Sequence, residues 1–118
     1  MLEEKAEDLG RVLGQTDEYK ALRRATEALR EDQAVQKVLA EAERLAQEIE
    51  RVAQQGSEPT KEQVEKYDQA LQTVQSNSVY QQMVAAQSNF EKLMARINAR
   101  IYEGIKKGVD PRHQLFEI

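Results

Sequence analysis

Residues able to do chemistry are few in this chain and are not gathered. There is one histidine, His113, and it stands near the C-terminal end, far from the carboxylates of the first segment. A di-metal carboxylate bundle needs Glu-x-x-His motifs on inward helix faces, and no such motif occurs. His113 reads as a solvated tail residue. Glu3, Glu4, Glu7 and Asp8 lie together, but acids also suit the positive end of a first helix, and that role explains them without a metal. Ser57, Ser76, Ser78 and Ser88 lack a base to activate them. No Gly-rich phosphate loop and no G-x-S-x-G elbow is present. The residues therefore point to no catalytic group, no metal site, no cofactor and no small-molecule substrate.

One charged pattern remains. Lys92, Arg96, Arg100 and Lys107 fall near one helical face, interrupted by Glu103. Such a row can be a solvated face supported by i,i+4 pairs. It can also be a docking stripe for an acidic partner or for RNA phosphates. The first reading is favoured, because Tyr102 alone makes no stacking platform for bases. Net charge is −4 overall, but residues 92–118 carry six basic and three acidic groups, leaving 11 basic and 18 acidic groups in residues 1–91. A mildly acidic chain is a poor general nucleic-acid binder.

The elements that would position these residues are helices. At 118 residues with 40% apolar and 32% charged side chains, the chain is expected to be one domain with a core of Leu, Val, Ile, Ala and Met. Cysteine is absent, so disulfides and thiolate sites are excluded. No apolar run reaches membrane-span length, and the acidic N-terminal stretch does not resemble a signal peptide. A cytoplasmic protein is expected.

A first helix over residues 2–14 carries Leu2, Ala6, Leu9 and Leu13 on one face, with Gly14 to end it and Thr16 or Asp17 to cap the next. A second, over 17–30, carries Tyr19, Leu22, Ala25, Thr26 and Leu29. From Asp32 a third helix repeats every seven residues, with Val35, Ala42 and Ile49 beside Val38, Leu45 and Val52, a seam suited to knobs-into-holes packing. Gly56 ends it. Thr60 and Gln63 form a capping box for a fourth helix over 61–75, with Val64, Tyr67, Leu71 and Val74. Ser76, Asn77 or Ser78 opens a fifth reaching about Lys107, with Ser78 and Gln81 as a second candidate box. Its stripe runs through Val79, Met83, Ala86, Phe90, Leu93, Met94, Ile97, Ile101 and Ile105. Residues 1–108 form the helical domain. Residues 109–118 form a tail, in which Leu115, Phe116 and Ile118 could dock.

A local pattern recurs 45 residues on. Leu29-Arg30-Glu31-Asp32-Gln33-Ala34-Val35-Gln36-Lys37-Val38-Leu39 aligns with Val74-Gln75-Ser76-Asn77-Ser78-Val79-Tyr80-Gln81-Gln82-Met83-Val84. Each copy places Asp or Asn between two apolar runs, where its side chain can cap a helix. The fold class expected is all-α, with about five helices in a bundle of antiparallel hairpins and a long C-terminal helix. Stripes this wide on helices this long are more than one chain needs, so a homo-oligomer is expected, a dimer being favoured. Met83, Gln87, Phe90 and Met94 are the candidate self-association seam: polar Gln87 either fixes register there or lies at the solvated edge of the stripe, the edge being slightly favoured, and Met83, Phe90 and Met94 read first as core, with adaptable partner contact as the alternative.

Thr16-Asp17-Glu18-Tyr19-Lys20, the first Asp corner through Gln36, the loop Gln55-Gly56-Ser57-Glu58-Pro59-Thr60, and Val74 through Val79 occur in an order that resembles the YlbF/YmcA family. That family of small helical bacterial proteins also includes YheA. The resemblance covers about residues 2–107. It implies an all-α fold, self-association and a non-enzymatic regulatory role. In Bacillus, members assemble with a further protein, YaaT, and influence competence, sporulation and biofilm formation. They are also linked to RNA processing by the endoribonuclease RNase Y. Some members carry cysteines associated with iron–sulfur clusters, and this chain has none. The expectation is an adaptor acting through protein–protein contacts. Direct RNA binding by the basic face and a chaperone-like helical clamp are the alternatives.

Overall fold

In a computed structural model, residues 1–109 are described. They form α1 (Leu2–Gly14), α2 (Asp17–Glu31), α3 (Gln33–Gln54), α4 (Lys61–Ser76) and α5 (Ser78–Gly108). His113 and the apolar tail residues Leu115, Phe116 and Ile118 lie outside the described residues.

The chain is a long helical hairpin, folded over at a bend on each limb. α3 turns back into α4 through a short loop, and the two pack along each other. Gly56 takes φ +80° there, a left-handed conformation open to glycine. Its amide donates to the Ala53 carbonyl, and that of Ser57 donates to the Val52 carbonyl. This closes the helix end. The expected capping box starts α4: the Gln63 amide donates to Thr60 Oγ1 at 3.1 Å, and the Thr60 amide donates to Gln63 Oε1 at 2.9 Å. Gln63 also donates to Glu48 across the hairpin.

The second pair is α2 with α5. Glu18, at the start of α2, meets Arg96, and Tyr19 meets Phe90, so the two helices run antiparallel. The side chains buried among the described residues are Val35, Ala42, Leu45, Val74, Ala86 and Leu93. Val35, Ala42 and Leu45 belong to the heptad seam, and Ile49 and Val52 beyond them are half-buried.

The repeated pattern builds the two bends. Asp32 ends α2 and caps α3, its carboxylate accepting the Val35 amide at 3.0 Å. Asn77 ends α4 and caps α5, its Oδ1 accepting the Tyr80 amide at 2.9 Å. In each bend a glutamine four residues after the cap reaches back. Gln36 Nε2 donates to the Leu29 carbonyl, and Gln81 Nε2 donates to the Gln75 carbonyl, both at 2.9 Å. Carbonyls at a helix end lack helical partners, and these amides supply them. Gln81 is thereby committed backwards, so the Ser78–Gln81 capping box does not form and Asn77 is the cap. The limbs pair on either side of both bends, which sets the bends beside each other.

The result is elongated. The radius of gyration is 21.7 Å and the extents are 64 × 36 × 23 Å, against about 13 Å for the radius of a compact chain of this length. At 31 residues α5 is about 46 Å long, whereas the 15 residues of α2 cover only about 22 Å of it. The distal part of α5 therefore runs past α2. At the same end α1 joins α2 through Gln15 and Thr16. The Thr16 hydroxyl donates to the Leu13 carbonyl at 2.7 Å and accepts the Tyr19 amide at 3.2 Å. Gly14 is the last residue of α1 and Gln15 its C-cap, in right-handed geometry, so no glycine turn is used there.

Candidate interaction surface

The surface of α5 changes character along its length. At 100° per residue, Met83, Ala86, Phe90, Leu93, Met94 and Ile97 share one face. Ala86 and Leu93 are buried, and Met83, Phe90, Met94 and Ile97 are half-buried. Phe90 sits 5.5 Å from the Tyr19 ring, at a tilted 59°, a favourable aromatic arrangement. Three residues of the expected seam, Met83, Phe90 and Met94, are thus already partly covered within the chain. Gln87 is exposed at the edge of that face.

Beyond α2 the same face continues as Ile101, Gly104, Ile105 and Gly108. Ile101 is 46% exposed and Ile105 is 54% exposed. An added Cβ at Gly104 would meet nothing within 4 Å. Glycine inside a helix costs about 1 kcal/mol relative to alanine, and packing among the described residues gives no reason for it here. α1 presents the same situation. Leu9 and Leu13 are half-buried, but Leu2 is 77% and Val12 61% exposed, and Gly10 also has open space beside it. The sequence carried a signal for this that its periodicity concealed. Four of the five glycines fall in α1 and in the last turns of α5, and the fifth makes the hairpin turn.

The basic row lies beside the apolar face. Lys92, Arg96, Arg100 and Lys107 are all exposed. Arg96 meets Glu18 of α2 at 3.7 Å, which takes part of its charge into the chain's own contacts. Glu103 within the row pairs with Lys106 instead. Another exposed ion-pair cluster lies on α3. Arg44 bonds Glu41 at 2.5 Å and Glu48 at 3.3 Å. The hydrogen bond from Arg44 holds the Glu41 carboxyl below its ordinary range, and the same bond raises the Arg44 guanidinium. Solvent screens this exposed cluster, so it contributes little to stability.

Concavities run along helices instead of closing between them. One is lined by Arg44, Gln47, Glu48 and Arg51, all on α3. Another is lined by α2 residues from Tyr19 to Arg30. A third follows the groove between α3 and α4, past Val38, Leu45 and Ala70. Among the described residues no polar or charged side chain is buried, and no group of three or more His, Cys, Asp or Glu could hold a metal ion. No helix among them is long and apolar enough to cross a membrane.

These features define an elongated all-α protein whose distinctive surfaces are helix faces, bent twice and open at one end. The family model described as "Control of competence regulator ComK, YlbF/YmcA" matches residues 2–106, and the chain belongs to this regulatory family. It is also similar to a UPF0342 protein of Alkalihalophilus pseudofirmus, 24% identical over 104 residues that make up 88% of each chain.

Proposed function

We propose that this protein is a non-enzymatic regulatory adaptor, working as a homo-oligomer in the cytoplasm and steering a larger protein complex through contacts on its helix faces. The observation that carries this reading is the absence of buried polar or charged side chains among the described residues. Enzymes tune acids, bases and nucleophiles by desolvating them, and helix faces left in solvent recognise other macromolecules instead. The family is one of competence regulators, which fits an adaptor. A complex acting on RNA processing by RNase Y is the assembly that the resemblance offers.

The test is capture of RNase Y and its associated proteins from the native cell by the tagged chain. A reproducible complex is expected, lost when exposed residues on α3 and α4 are changed and helical content is preserved. A chain that captures none of these proteins, or a purified chain that turns over a substrate, would remove the reading. Direct RNA binding is the competing outcome. It requires retention of RNA at low salt, falling steeply as salt rises and falling again in Arg96→Ala/Arg100→Ala.

A further inference from the structure

The two bends are built alike and differ in charge. Positions 45 residues apart correspond, and both bends share the cap, the back-reaching glutamine and the pairing of limbs. Residues 24–45, around the first bend, hold nine charged side chains. Residues 69–90, around the second, hold none, in a chain that is 32% charged. Glu27, Glu31 and Lys37 are matched by Gln72, Ser76 and Gln82, and Arg44 is matched by Asn89. All eight are exposed. The fold therefore accepts charge at these positions. Helix formation also favours it, since Ser and Asn are poorer helix formers than Glu and Arg. Charge returns on the same two helices just beyond the stretch, at Asp68 on α4 and at Glu91 and Lys92 on α5. Folding gives no reason for the neutral stretch between them.

We infer that this uncharged face, on both sides of Asn77, is where the adaptor seats its protein partner, and that the partner meets it with an equally uncharged surface. Charge matching selects the occupant. RNA phosphates and anionic lipids are held by cations, and this face has none. An acidic or basic peptide would find no opposite charge on it. A charge buried unpaired at a contact is strongly unfavourable, and the cores of interfaces are depleted of charge. Amides and hydroxyls supply both donors and acceptors instead. A permanent second copy would call for a more apolar surface, and Val84, 44% exposed, is the one large apolar side chain exposed in this stretch. Thirteen of its 22 residues are exposed, against roughly 20–30 a side in a standard interface, so the contact is of the transient kind. The bend also fixes the angle between the two arms of the face. The Asn77 cap and the bond from Gln81 to the Gln75 carbonyl, both 2.9 Å, hold it, which lowers the ordering cost of binding. The inference rests on the adaptor reading and adds the face that carries it.

Capture of the RNase Y assembly by the full tagged chain tests it, with the residues of the first bend moved onto the second. Gln72→Glu/Ser76→Glu and, separately, Gln82→Lys/Asn89→Arg should each lower the captured amount about ten-fold or more, with helical circular dichroism retained. Both signs should act alike, because burial of any unpaired charge is the cause. Glu27→Gln/Glu31→Ser, which removes charge from the first bend, should leave capture unchanged. A photocrosslinking residue in place of Ala85, which is exposed within the face, should link to an uncharged segment of another protein in that assembly.

A wild type that captures nothing overturns the adaptor reading and this face with it. A wild type that captures the assembly, with both charge variants capturing equally well, overturns the face alone. Loss with one sign and tightening with the other means a charged partner surface and overturns the uncharged match. Crosslinking of Ala85 position to RNA or to a second copy, or charge variants that change the sedimentation of the free chain, gives the face to another occupant and overturns the inference.

Discussion

The two halves of α5 carry the same kind of stripe and meet different fates. From Met83 to Ile97 the stripe lies against α2, with Ala86 and Leu93 buried. From Ile101 to Ile105 an equally apolar continuation stands in solvent. Gly104 and Gly108 mark the distal half, but the spacing of the stripe runs through both halves unbroken. The difference is the length of the neighbour: α2 is about half as long as α5. Amphipathic spacing records that a face can be buried, and the reach of the packed partner decides whether it is.

The largest test of that contrast sets Leu45→Ala against Ile105→Ala. Leu45 is 4% exposed, and its truncation should cost about 2–5 kcal/mol in urea unfolding. Ile105→Ala, at concentrations where the protein is monomeric, should stay within about 0.5 kcal/mol of wild type. Equal losses would mean that the projecting end is packed after all.

Next come the bends. Asp32→Ala and Asn77→Ala each remove a cap and should cost about 1 kcal/mol. Gln36→Ala and Gln81→Ala should cost less, about 0.5 kcal/mol each, because their bonds are exposed to solvent. If the glutamine variants cost more than the cap variants, the back-reaching amide and not the cap defines the bend.

Gly104→Ala should act with opposite sign. It should raise monomer stability by somewhat under 1 kcal/mol, since the new methyl meets open space. The same change should weaken self-association if a partner helix approaches there. The smallest effect is expected at Glu41. Its folded-state carboxyl titrates below the ordinary value of 4.5, so its contribution is present above that value and fades as pH falls through the lower, folded one. Glu41→Gln should therefore alter only the acid end of a stability–pH curve, and only slightly, because solvent screens the exposed pair.

Much of the fold was legible because its signals are local. The Asp32 and Asn77 bends, the Thr60–Gln63 box, the Gly56 turn and the seam from Val35 to Val52 each depend on residues a few positions apart. The back-reaching bonds of Gln36 and Gln81 were not anticipated, although each glutamine stands four residues after its cap in the repeated pattern. A capping box and a back-reaching bond compete for the same side chain, and Gln63 and Gln81 resolve that competition differently. Surface function was less legible. The basic row on α5 was visible as a pattern, yet the tie between Arg96 and Glu18 joins residues 78 positions apart in sequence.

By itself the sequence determined that this chain is helical, where its helices begin and end, and that two of the joints are the same device, because backbone capping and helical periodicity act over one or two turns. Only the tertiary structure decided which stripe covers which. The limbs pair α2 with α5 and α3 with α4, and unequal helix lengths leave α1 and the end of α5 in solvent. Burial depends on how far a neighbour extends in space, and local side-chain spacing does not encode that distance.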